Sequence, residues 1–334
     1  MLDSFTARQV NLAINESSPD NLYVILGGSG FLGLSISAVL DAHGYTWLNL
    51  DVDGGNSAKI WPENFVNVNS DKFITKISQD FRPKILINLA APTTHLSNVQ
   101  RQNDGLDKTK FKLGAREIAL FHLVEQLFEI GIERYLFTSS IDVYGQSFID
   151  SSYIDEYSEL KPNTSYGESK RLLEEMYSDL CNRFVTSYSC IRLGHIYGPF
   201  EHLYYTRLLP YLYTLQPKSQ VKLQLPSDFR RQYIYSLDIA RFIVFLVKNK
   251  FDGIFNFVGD SVDYSQVCQV FKNSINLNIS NEVTPSLDSY SALIGTEYEY
   301  IRSFPKIDFE LGIQHCVNTI NLCGVYGLRS RISL

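Results

Sequence analysis

The chain has 334 residues, of which 45% are hydrophobic and 20% are charged, and its formal net charge is −6. This composition is typical of globular proteins, and the length predicts two domains, or one domain with a second lobe. The acidic charge argues against a nucleic-acid-binding protein, and the sequence predicts neither a membrane span, which needs about 18 apolar residues, nor a signal peptide.

Strands and helices alternate along the first part of the chain. Residues 1–20 are polar without a periodic pattern, and we treat them as an N-terminal extension. Six apolar runs then predict buried strands: LYVILG, YTWLNLD, FVNVN, KILINLAA, ERYLFTSS and YSCIRLG. Helical patterns lie between them, including residues 107–130 and SYGESKRLLEEMYSDL, in which Ser165 and Glu168 have the spacing of a capping box. This alternation predicts an α/β fold with a Rossmann-type, doubly wound parallel sheet.

The pattern changes at about residue 197. The segment YGPFEHLYYTRLLPYLYTLQPKSQ is aromatic and interrupted by proline. After it we predict a strand (VKLQL), a loop (PSDFRRQY), a helix (SLDIARFIVFLVKN), a strand (GIFNFVG) and a helix (SQVCQVFKNSIN). We therefore assign residues 21–196 to the Rossmann domain, to which some later segments return. Residues 197–334 are assigned mainly to a smaller, mixed substrate-binding lobe.

The stretch VILGGSGFLG contains four glycines between the first strand and the first helix. They match both G-x-G-x-x-G and G-x-x-G-x-x-G: Gly27, Gly28, Gly30 and Gly33. Such a turn brings the pyrophosphate of a dinucleotide to the N–H groups of a helix N-terminus, although the motif alone is equally common as a structural turn. Asp51 ends the next strand, where its carboxylate can bind ribose hydroxyls and repel a 2′-phosphate. The pattern favours NAD over NADP, with Asp53 as the alternative acidic residue.

Tyr166 and Lys170 of YGESK lie four residues apart, on one face of a predicted helix. An ammonium beside a tyrosine, together with the positive charge of an oxidised nicotinamide, favours the phenolate over the phenol, whose usual pKa is about 10. By itself Tyr-x-x-x-Lys is common by chance and then lies on a surface. Here Ser140 of FTSSIDVYG ends the preceding strand, where its hydroxyl can bind the reacting oxygen of a substrate.

The order of these motifs resembles an extended short-chain dehydrogenase/reductase and, within that superfamily, the NAD-dependent nucleotide-sugar epimerase/dehydratase family. The resemblance covers residues 22–260 and rests on GxxGxxG, the acidic residue, NLAA, TSSIDVYG, YGESK, IRLGHIYGP and RQYIYSLDIA. It implies an enzyme with NAD as cofactor and a nucleotide sugar as substrate. Pairing of the helices 107–130 and 165–183 across a homodimer is compatible with it. The five cysteines form no CxxC pair, which predicts reduced thiols in a cytoplasmic protein.

The resemblance implies roles at matching positions. The catalytic residues would be Ser140, Tyr166 and Lys170, with Asp142 as a candidate base or as the cap of a turn. The cofactor would be bound by Gly27, Gly30, Phe31, Leu32, Gly33, Asp51, Asn69, Ala90, Ala91, Tyr166 and Lys170. The substrate would be bound by Thr93, His195 and Arg231. For His195 the competing interpretation is a residue that fills a pocket, and for Arg231 a solvated loop charge.

Four positions depart from the family pattern. Leu26 replaces a threonine, Phe111 replaces an asparagine that supports the catalytic lysine through water, and His195 replaces an asparagine that often faces the substrate phosphates. Ile141 stands where dehydratases of the dTDP-hexose type have an acid, although Asp142 keeps the neighbouring carboxylate. Because elimination of water needs both an acid and a base, the incomplete pair favours an epimerase over a dehydratase.

We therefore expect Tyr166 to take a proton from a sugar hydroxyl at C4 while hydride is transferred to NAD. Lys170 would lower the pKa of the phenol and anchor the cofactor ribose, and Ser140 would polarise the forming ketone. The alternatives are a nucleotide-sugar dehydratase, a 4-ketoreductase or dehydrogenase, and a reductase of a non-nucleotide carbonyl compound. A non-catalytic NAD-binding regulator is a further alternative, which Leu26 and Phe111 would support.

Overall fold

The computed structural model describes residues 22–55, 57–69, 73–80, 83–90, 113–201, 207–213, 215–226, 229–282 and 292–323. Three residues singled out in the sequence lie outside the described residues: Ala91, Thr93 and Phe111. The first part of the predicted helix 107–130 is also outside them.

The strands of the described residues are numbered in chain order. They are β1 (Tyr23–Leu26), β2 (Trp47–Asp51), β3 (Phe65–Asn67), β4 (Ile85–Asn88), β5 (Arg134–Ser140), β6 (Tyr153–Ile154), β7 (Ser187–Leu193), β8 (His195–Tyr197), β9 (Gln220–Leu223), β10 (Arg230–Tyr235), β11 (Gly253–Phe257), β12 (Ser261–Asp263), β13 (Asn278–Asn281) and β14 (Leu293–Ile294).

The helices of the described residues are α1 (Phe31–Ala42), α2 (Ser57–Ile60), α3 (Phe73–Asp80), α4 (Ala115–Glu129), α5 (Ser147–Asp150), α6 (Ser165–Phe184), α7 (Leu208–Tyr213), α8 (Ser236–Asn249), α9 (Tyr264–Ile275), α10 (Glu299–Arg302) and α11 (Phe309–Cys323). Two short 3₁₀ helices, Pro62–Asn64 and Ile141–Val143, complete the set. In this part of the chain no helix is both long enough and apolar enough to cross a membrane.

The central sheet has seven strands in the order β11-β7-β5-β4-β1-β2-β3. The four neighbouring pairs from β5 to β3 run parallel, and Val24 of β1 lies opposite both Leu48 of β2 and Leu86 of β4. The strand order reverses between β1 and β4, and at such a switch point ligands bind beyond the carboxyl ends of the strands. The predicted Rossmann-type sheet is confirmed.

Helices α4 and α6 cover β5 with apolar and aromatic side chains. Their buried residues form one cluster with the sheet: Val124, Leu127, Phe128, Leu173, Tyr177 and Leu180. The ring centroid of Tyr177 lies 4.9 Å from that of Phe137 of β5. This packing holds α6, which carries the YGESK motif, against the strand that ends at Ser140.

Helix α6 begins one residue earlier than a Ser165 cap requires. Its N-cap is Thr164, whose side chain accepts a hydrogen bond from the backbone N–H of Gly167 at 3.0 Å. Glu168 instead receives hydrogen bonds from the guanidinium of Arg171. The predicted capping box of Ser165 and Glu168 is therefore wrong, although the helix itself is confirmed.

Three smaller sheets involve the remaining strands, in the orders β12-β10-β8, β13-β9 and β14-β6. Strand β10 begins at Arg230, within the segment PSDFRRQY for which a loop was predicted. It pairs antiparallel with β12 and parallel with β8. The prediction was wrong because partners distant in sequence, rather than local apolar spacing, make this segment a strand.

Two compact units divide the described residues. The first contains the chain up to Gln146, Glu159–Arg192 and Ala240–Phe255, and the second contains Ser147–Ser158, Leu193–Ile239 and the chain from Asn256 onwards. The first unit includes β1 to β5 and α6, and the second includes β8 and β10. The assignment of residues 197–334 to a substrate lobe stays a prediction.

Candidate active site

Three glycines of the turn between β1 and α1 are required by the fold. Gly27 has a φ of +84°, a conformation that strongly favours glycine. A Cβ added to Gly28 would lie 2.2 Å from Oδ1 of Asn49, and one on Gly33 would lie 2.5 Å from the carbonyl oxygen of Gly28. These contacts explain the three glycines without any ligand.

Gly30 is different, because its surroundings leave room for a side chain. A Cβ there would meet only the carbonyl oxygen of Gly27, at 3.4 Å, and the φ of Gly30 is −76°. Helix α1 starts at Phe31 and Leu32 with no side-chain cap and no acidic residue in its first turn. Its free N-terminal N–H groups and partial positive charge therefore fit a pyrophosphate that approaches over Gly30.

The carboxylate of Asp51 lies beside this glycine turn. Its Oδ2 accepts a hydrogen bond from the backbone N–H of Ser29 at 3.0 Å, and its Oδ1 accepts one from Val52 at 2.8 Å. Burial raises the pKa of Asp51, while these backbone donors lower it. Asp53 is exposed and accepts from the N–H of Gly55 in its own loop. Of the two acidic candidates, Asp51 is the one at the dinucleotide turn.

Two further cofactor candidates flank the same strand ends. The backbone nitrogen of Ala90 would lie 2.9 Å from a Cβ on Gly27, and its N–H donates to Oδ1 of Asn88 at 3.1 Å. Asn69 is exposed, and its Nδ2 lies 3.5 Å from the carbonyl oxygen of Val52, just beyond Asp51. The structure thus places Ala90 against the glycine turn and Asn69 near the end of β2. A turn in which Gly27, Gly28 and Gly30 carry no side chain, with the carboxylate of Asp51 beside it, fits NAD.

Lys170 is 4% exposed on the face of α6 that also carries Tyr166. Its Nζ donates a hydrogen bond to the carbonyl oxygen of Thr138 at 2.8 Å and lies 5.9 Å from the ring centroid of Tyr166. Burial lowers the pKa of Lys170 to about 8, although Cys190 and Glu174 raise it. The amine nitrogen of Lys170 therefore lies near the ring of the half-buried Tyr166, and burial makes this lysine easier to deprotonate than an exposed one.

Ser140 begins a tight turn at the end of β5. We call Ser140, the 3₁₀ helix Ile141–Val143 and Tyr144 the serine turn. The Oγ of Ser140 accepts a hydrogen bond from the N–H of Asp142 at 3.2 Å, so Ser140 is the residue that caps this turn. A Cβ on Gly167 would lie 2.4 Å from the carbonyl oxygen of Asp142. The backbone of the serine turn at Asp142 therefore packs against the first turn of α6 at Gly167, the residue that follows Tyr166.

Ile141 occupies the middle of this arrangement as a core residue. Its side chain is 6% exposed, whereas Asp142 next to it is partly exposed. The serine turn thus carries one carboxylate, that of Asp142, and the adjacent Ile141 packs in the core.

The predicted substrate residues lie on neighbouring strands of the three-stranded sheet. His195 of β8 is opposite Tyr233 of β10, and their ring centroids are 5.9 Å apart. Arg231 is two residues before Tyr233, so His195 and Arg231 are on the same face of this sheet. The guanidinium of Arg231 lies 5.3 Å from the ring centroid of Phe229. Arg231 therefore belongs to a strand and not to a loop, and its role in binding a substrate stays a prediction.

One charged group behind the site was missed by the sequence analysis. Glu174 follows Lys170 on α6 with the same four-residue spacing that joins Tyr166 to Lys170, and it binds Arg192 of β7 in the interior. The repeated spacing was a signal that another polar residue shares the catalytic face of the helix.

Comparisons with known proteins agree on one family. The chain matches the model of the NAD dependent epimerase/dehydratase family over residues 23–257. It is 26% identical to dTDP-D-glucose 4,6-dehydratase of Mus musculus, in an alignment that covers 88% of this chain and 87% of the mouse protein.

Solved structures share the fold. A UDP-glucose 4-epimerase with UDP-glucose from Thermotoga maritima has a TM-score of 0.71 and 19% identity, covering 90% of this chain and 99% of the epimerase. An NAD-dependent NDP-hexosamine 5,6-dehydratase involved in tunicamycin biosynthesis has a TM-score of 0.69 and 21% identity, covering 90% and 98% of the two chains. With a family model spanning the central sheet and the YGESK helix, the chain belongs to the NAD-dependent epimerase/dehydratase family of enzymes.

Proposed function

We propose that this enzyme is a nucleotide-sugar epimerase that works by oxidation and reduction at one sugar carbon, C4. The observation that carries the proposal is the contact of the serine turn, which begins at Ser140 and buries Ile141, with the first turn of α6, which contains Tyr166. Lys170 of the same helix binds the carbonyl oxygen of Thr138, two residues before Ser140. This grouping supplies a base and a hydrogen-bond donor for hydride chemistry, and the position before Asp142 supplies no acid.

The residues of the first unit divide the work. Tyr166 takes the proton from the sugar hydroxyl, the ammonium of Lys170 stabilises the resulting phenolate, and Ser140 donates a hydrogen bond to the forming carbonyl oxygen. The glycine turn and Asp51 hold the cofactor. Bound NAD supplies the acceptor and then the donor of the hydride, and rotation of the keto sugar between the two transfers gives the epimer.

The second candidate function is a nucleotide-sugar dehydratase. It is favoured by Asp142, the carboxylate of the serine turn, whose backbone packs against the first turn of α6, and by the mouse relative, which is a dTDP-D-glucose 4,6-dehydratase. Elimination of water also requires a general acid, and Ile141 in the core does not provide one. The epimerase is therefore our first choice.

For the substrate we propose a sugar activated by a nucleoside diphosphate. A guanidinium binds phosphate oxygens through paired N–H groups, and an imidazole can donate to the same group. Arg231 and His195 share one face of the three-stranded sheet, which supports joint recognition of a diphosphate. The related epimerase structure with UDP-glucose is consistent with this class of ligand.

We further propose that the enzyme is a homodimer in the cytoplasm. Helices α4 and α6 pack together, and this pair of long helices is the surface that we propose for contact with a second copy. Cys181, Cys190, Cys268 and Cys316 are free thiols, as expected in a reducing compartment. The mass in solution tests the dimer, and cell fractionation tests the location.

The deciding experiment is incubation with UDP-, GDP-, CDP- and dTDP-sugars, followed by product mass and cofactor absorbance. A product of unchanged mass with no net reduced cofactor supports the epimerase, loss of water indicates the dehydratase, and a two-hydrogen difference indicates a reductase or dehydrogenase. With the accepted substrate, Tyr166→Phe should lower kcat by about 10³-fold because the base is lost, with NAD affinity nearly unchanged.

The matched control is Tyr157→Phe, which removes the hydroxyl of a tyrosine that is 78% exposed in the second unit. It should turn over like the wild type. Activity of Tyr166→Phe close to that of the wild type would exclude the proposed base, and the absence of turnover with the whole panel would contradict the proposed substrate class.

A further inference from the structure

A buried guanidinium lies behind the candidate active site. Arg192 of β7 donates from Nε to Oε1 of Glu174 at 3.1 Å and from Nη2 to Oε2 at 2.8 Å. Both side chains are buried. Two parallel N–H···O bonds fix the guanidinium in one orientation, which a single contact does not do.

The same guanidinium reaches the serine turn. Nη1 of Arg192 donates to the hydroxyl oxygen of Tyr144 at 2.8 Å, and Tyr144 is the C-cap of the 3₁₀ helix that begins after Ser140. Tyr144 is fully buried. Arg192 therefore binds α6 through Glu174 and the far end of the serine turn through Tyr144.

Glu174 joins this arrangement on the catalytic face of α6. Tyr166, Lys170 and Glu174 follow one another at four-residue intervals, so their side chains lie along one stripe of the helix. Cys190 also raises the pKa of Lys170, and Cys190 lies on β7, the strand that carries Arg192. Arg192 thus binds Glu174 on the same stripe of α6 that carries Tyr166, the proposed base.

The geometry points to a positioning role: we propose that Arg192 holds Ser140 in register with Tyr166 by binding Glu174 and Tyr144 at the same time. This inference rests on the proposed hydride chemistry, in which Ser140 must reach the oxygen from which Tyr166 takes a proton. The contact of Gly167 with Asp142 prevents the serine turn from moving towards α6. The bond to Tyr144 resists movement in the opposite direction.

Stability alone is a weak explanation for this pair. A buried ion pair is often no more stabilising than apolar residues of similar volume, because both charges lose their hydration. A polar bridge between two segments of an active site fixes their relative position. This matters for catalysis, because a displacement of about 1 Å can lower the rate by about 10²-fold.

The test removes one hydroxyl from the bridge. Tyr144→Phe keeps the ring and the Glu174–Arg192 pair but loses the bond to Arg192. We expect kcat to fall by about tenfold or more, with KM for the nucleotide sugar and the affinity for NAD nearly unchanged, because the serine acts on the transition state. The control is Tyr188→Phe, which removes the hydroxyl of a half-buried tyrosine that donates to the backbone carbonyl of Glu174 at 3.2 Å and leaves the serine turn untouched. It should keep the wild-type kcat.

A double-mutant cycle separates positioning from a general loss of structure. If Tyr144 acts through Ser140, then Tyr144→Phe should have no further effect on kcat in a Ser140→Ala background. The same fractional loss in both backgrounds, or an equal loss of kcat in Tyr188→Phe, would overturn the proposal.

A second readout does not depend on turnover. Amide hydrogen exchange of the peptide covering residues 140–146 should be faster in Tyr144→Phe than in the wild type and in Tyr188→Phe, because the serine turn has lost its anchor. Equal exchange in all three proteins would overturn the positioning role. Absence of turnover in the wild type with every nucleotide sugar would instead count against the proposed function, with the exchange result still deciding the role of Arg192.

Discussion

Gly30 is the one of the four glycines between β1 and α1 that the fold itself does not require, because a side chain would fit there. Gly27, Gly28 and Gly33 are each constrained by a left-handed φ or by atoms closer than 3 Å to an added Cβ. Gly30 has an ordinary φ and one neighbour at 3.4 Å. The difference separates glycines that shape the turn from the glycine that leaves room for a ligand.

This difference predicts opposite results for two alanine substitutions. Gly30→Ala should change the free energy of unfolding by less than about 1 kcal/mol, because alanine fits the backbone there. It should weaken NAD binding by about tenfold or more, since the methyl group occupies the space of the pyrophosphate.

Gly33→Ala is the comparison, and urea unfolding together with NAD titration measures both variants. Its methyl group would overlap the Gly28 backbone, so it should lower the free energy of unfolding by about 2 kcal/mol or more. Unchanged NAD affinity in Gly30→Ala would remove the argument for a ligand at this position.

At the level of single elements, the start of α6 fixes the position of Tyr166 and Lys170, the proposed catalytic pair. Thr164 caps this helix through the N–H of Gly167, and Tyr166 lies in its first turn. Thr164→Ala should lower the free energy of unfolding by about 1 kcal/mol, the usual effect of losing an N-cap. Thermal or urea unfolding measures the change.

Ser165→Ala provides the matched control, because this serine is adjacent but is not the cap. It should change the stability by a few tenths of a kcal/mol at most, about the scale of helix propensity. A larger loss in Ser165→Ala than in Thr164→Ala would contradict the observed cap.

The same elements show where sequence patterns are sufficient. The strands β1, β2, β4, β5 and β7 are short apolar runs with breakers at both ends, so local composition identifies them. Strand β10 is polar at its start, Arg230 to Gln232, and it is a strand because β8 and β12 supply its hydrogen-bond partners. No local pattern contains that information.

The candidate site divides in the same way. Tyr166 and Lys170 were found because their spacing along one helix determines their geometry. Gly30 and Asp51 were found because they lie at the ends of β1 and β2, which are neighbouring parallel strands. Arg192 was not, since Glu174 and Tyr144 lie 18 and 48 residues away from it in sequence. The pairing of this buried arginine with its buried carboxylate depends on how α6 packs against the sheet. No motif in a single sequence reveals that packing.

At the scale of the whole molecule, Glu201 couples folding to pH. Its side chain is 1% exposed, and its Oε1 lies 2.7 Å from Nη1 of Arg207. Burial raises the pKa of Glu201 to about 7, and the charge of Arg207 lowers it only in part. Between the unfolded pKa of 4.5 and the folded value, the native protein holds a proton that the unfolded chain releases.

This linkage predicts that Glu201 lowers the free energy of unfolding as the pH rises from about 4.5 to 7, by about 3 kcal/mol in total. Glu201→Gln should remove this contribution, because the amide does not titrate. The measurement is urea unfolding at several pH values, with Glu63→Gln, an exposed site, as the control. A wild-type pH dependence in Glu201→Gln would show that the carboxyl ionises normally in the folded protein.

The burial of Ile141 has a consequence for redesign. Installing an aspartate at this position, in imitation of the dTDP-hexose dehydratases, would place an unpaired charge in the apolar interior, where it would tend to take up a proton or disrupt the fold. A single substitution is therefore an inefficient route from the proposed epimerase reaction to the elimination of water. An engineer would first have to rebuild the backbone between Ser140 and Tyr144 so that the new carboxylate emerged on the side of the sugar.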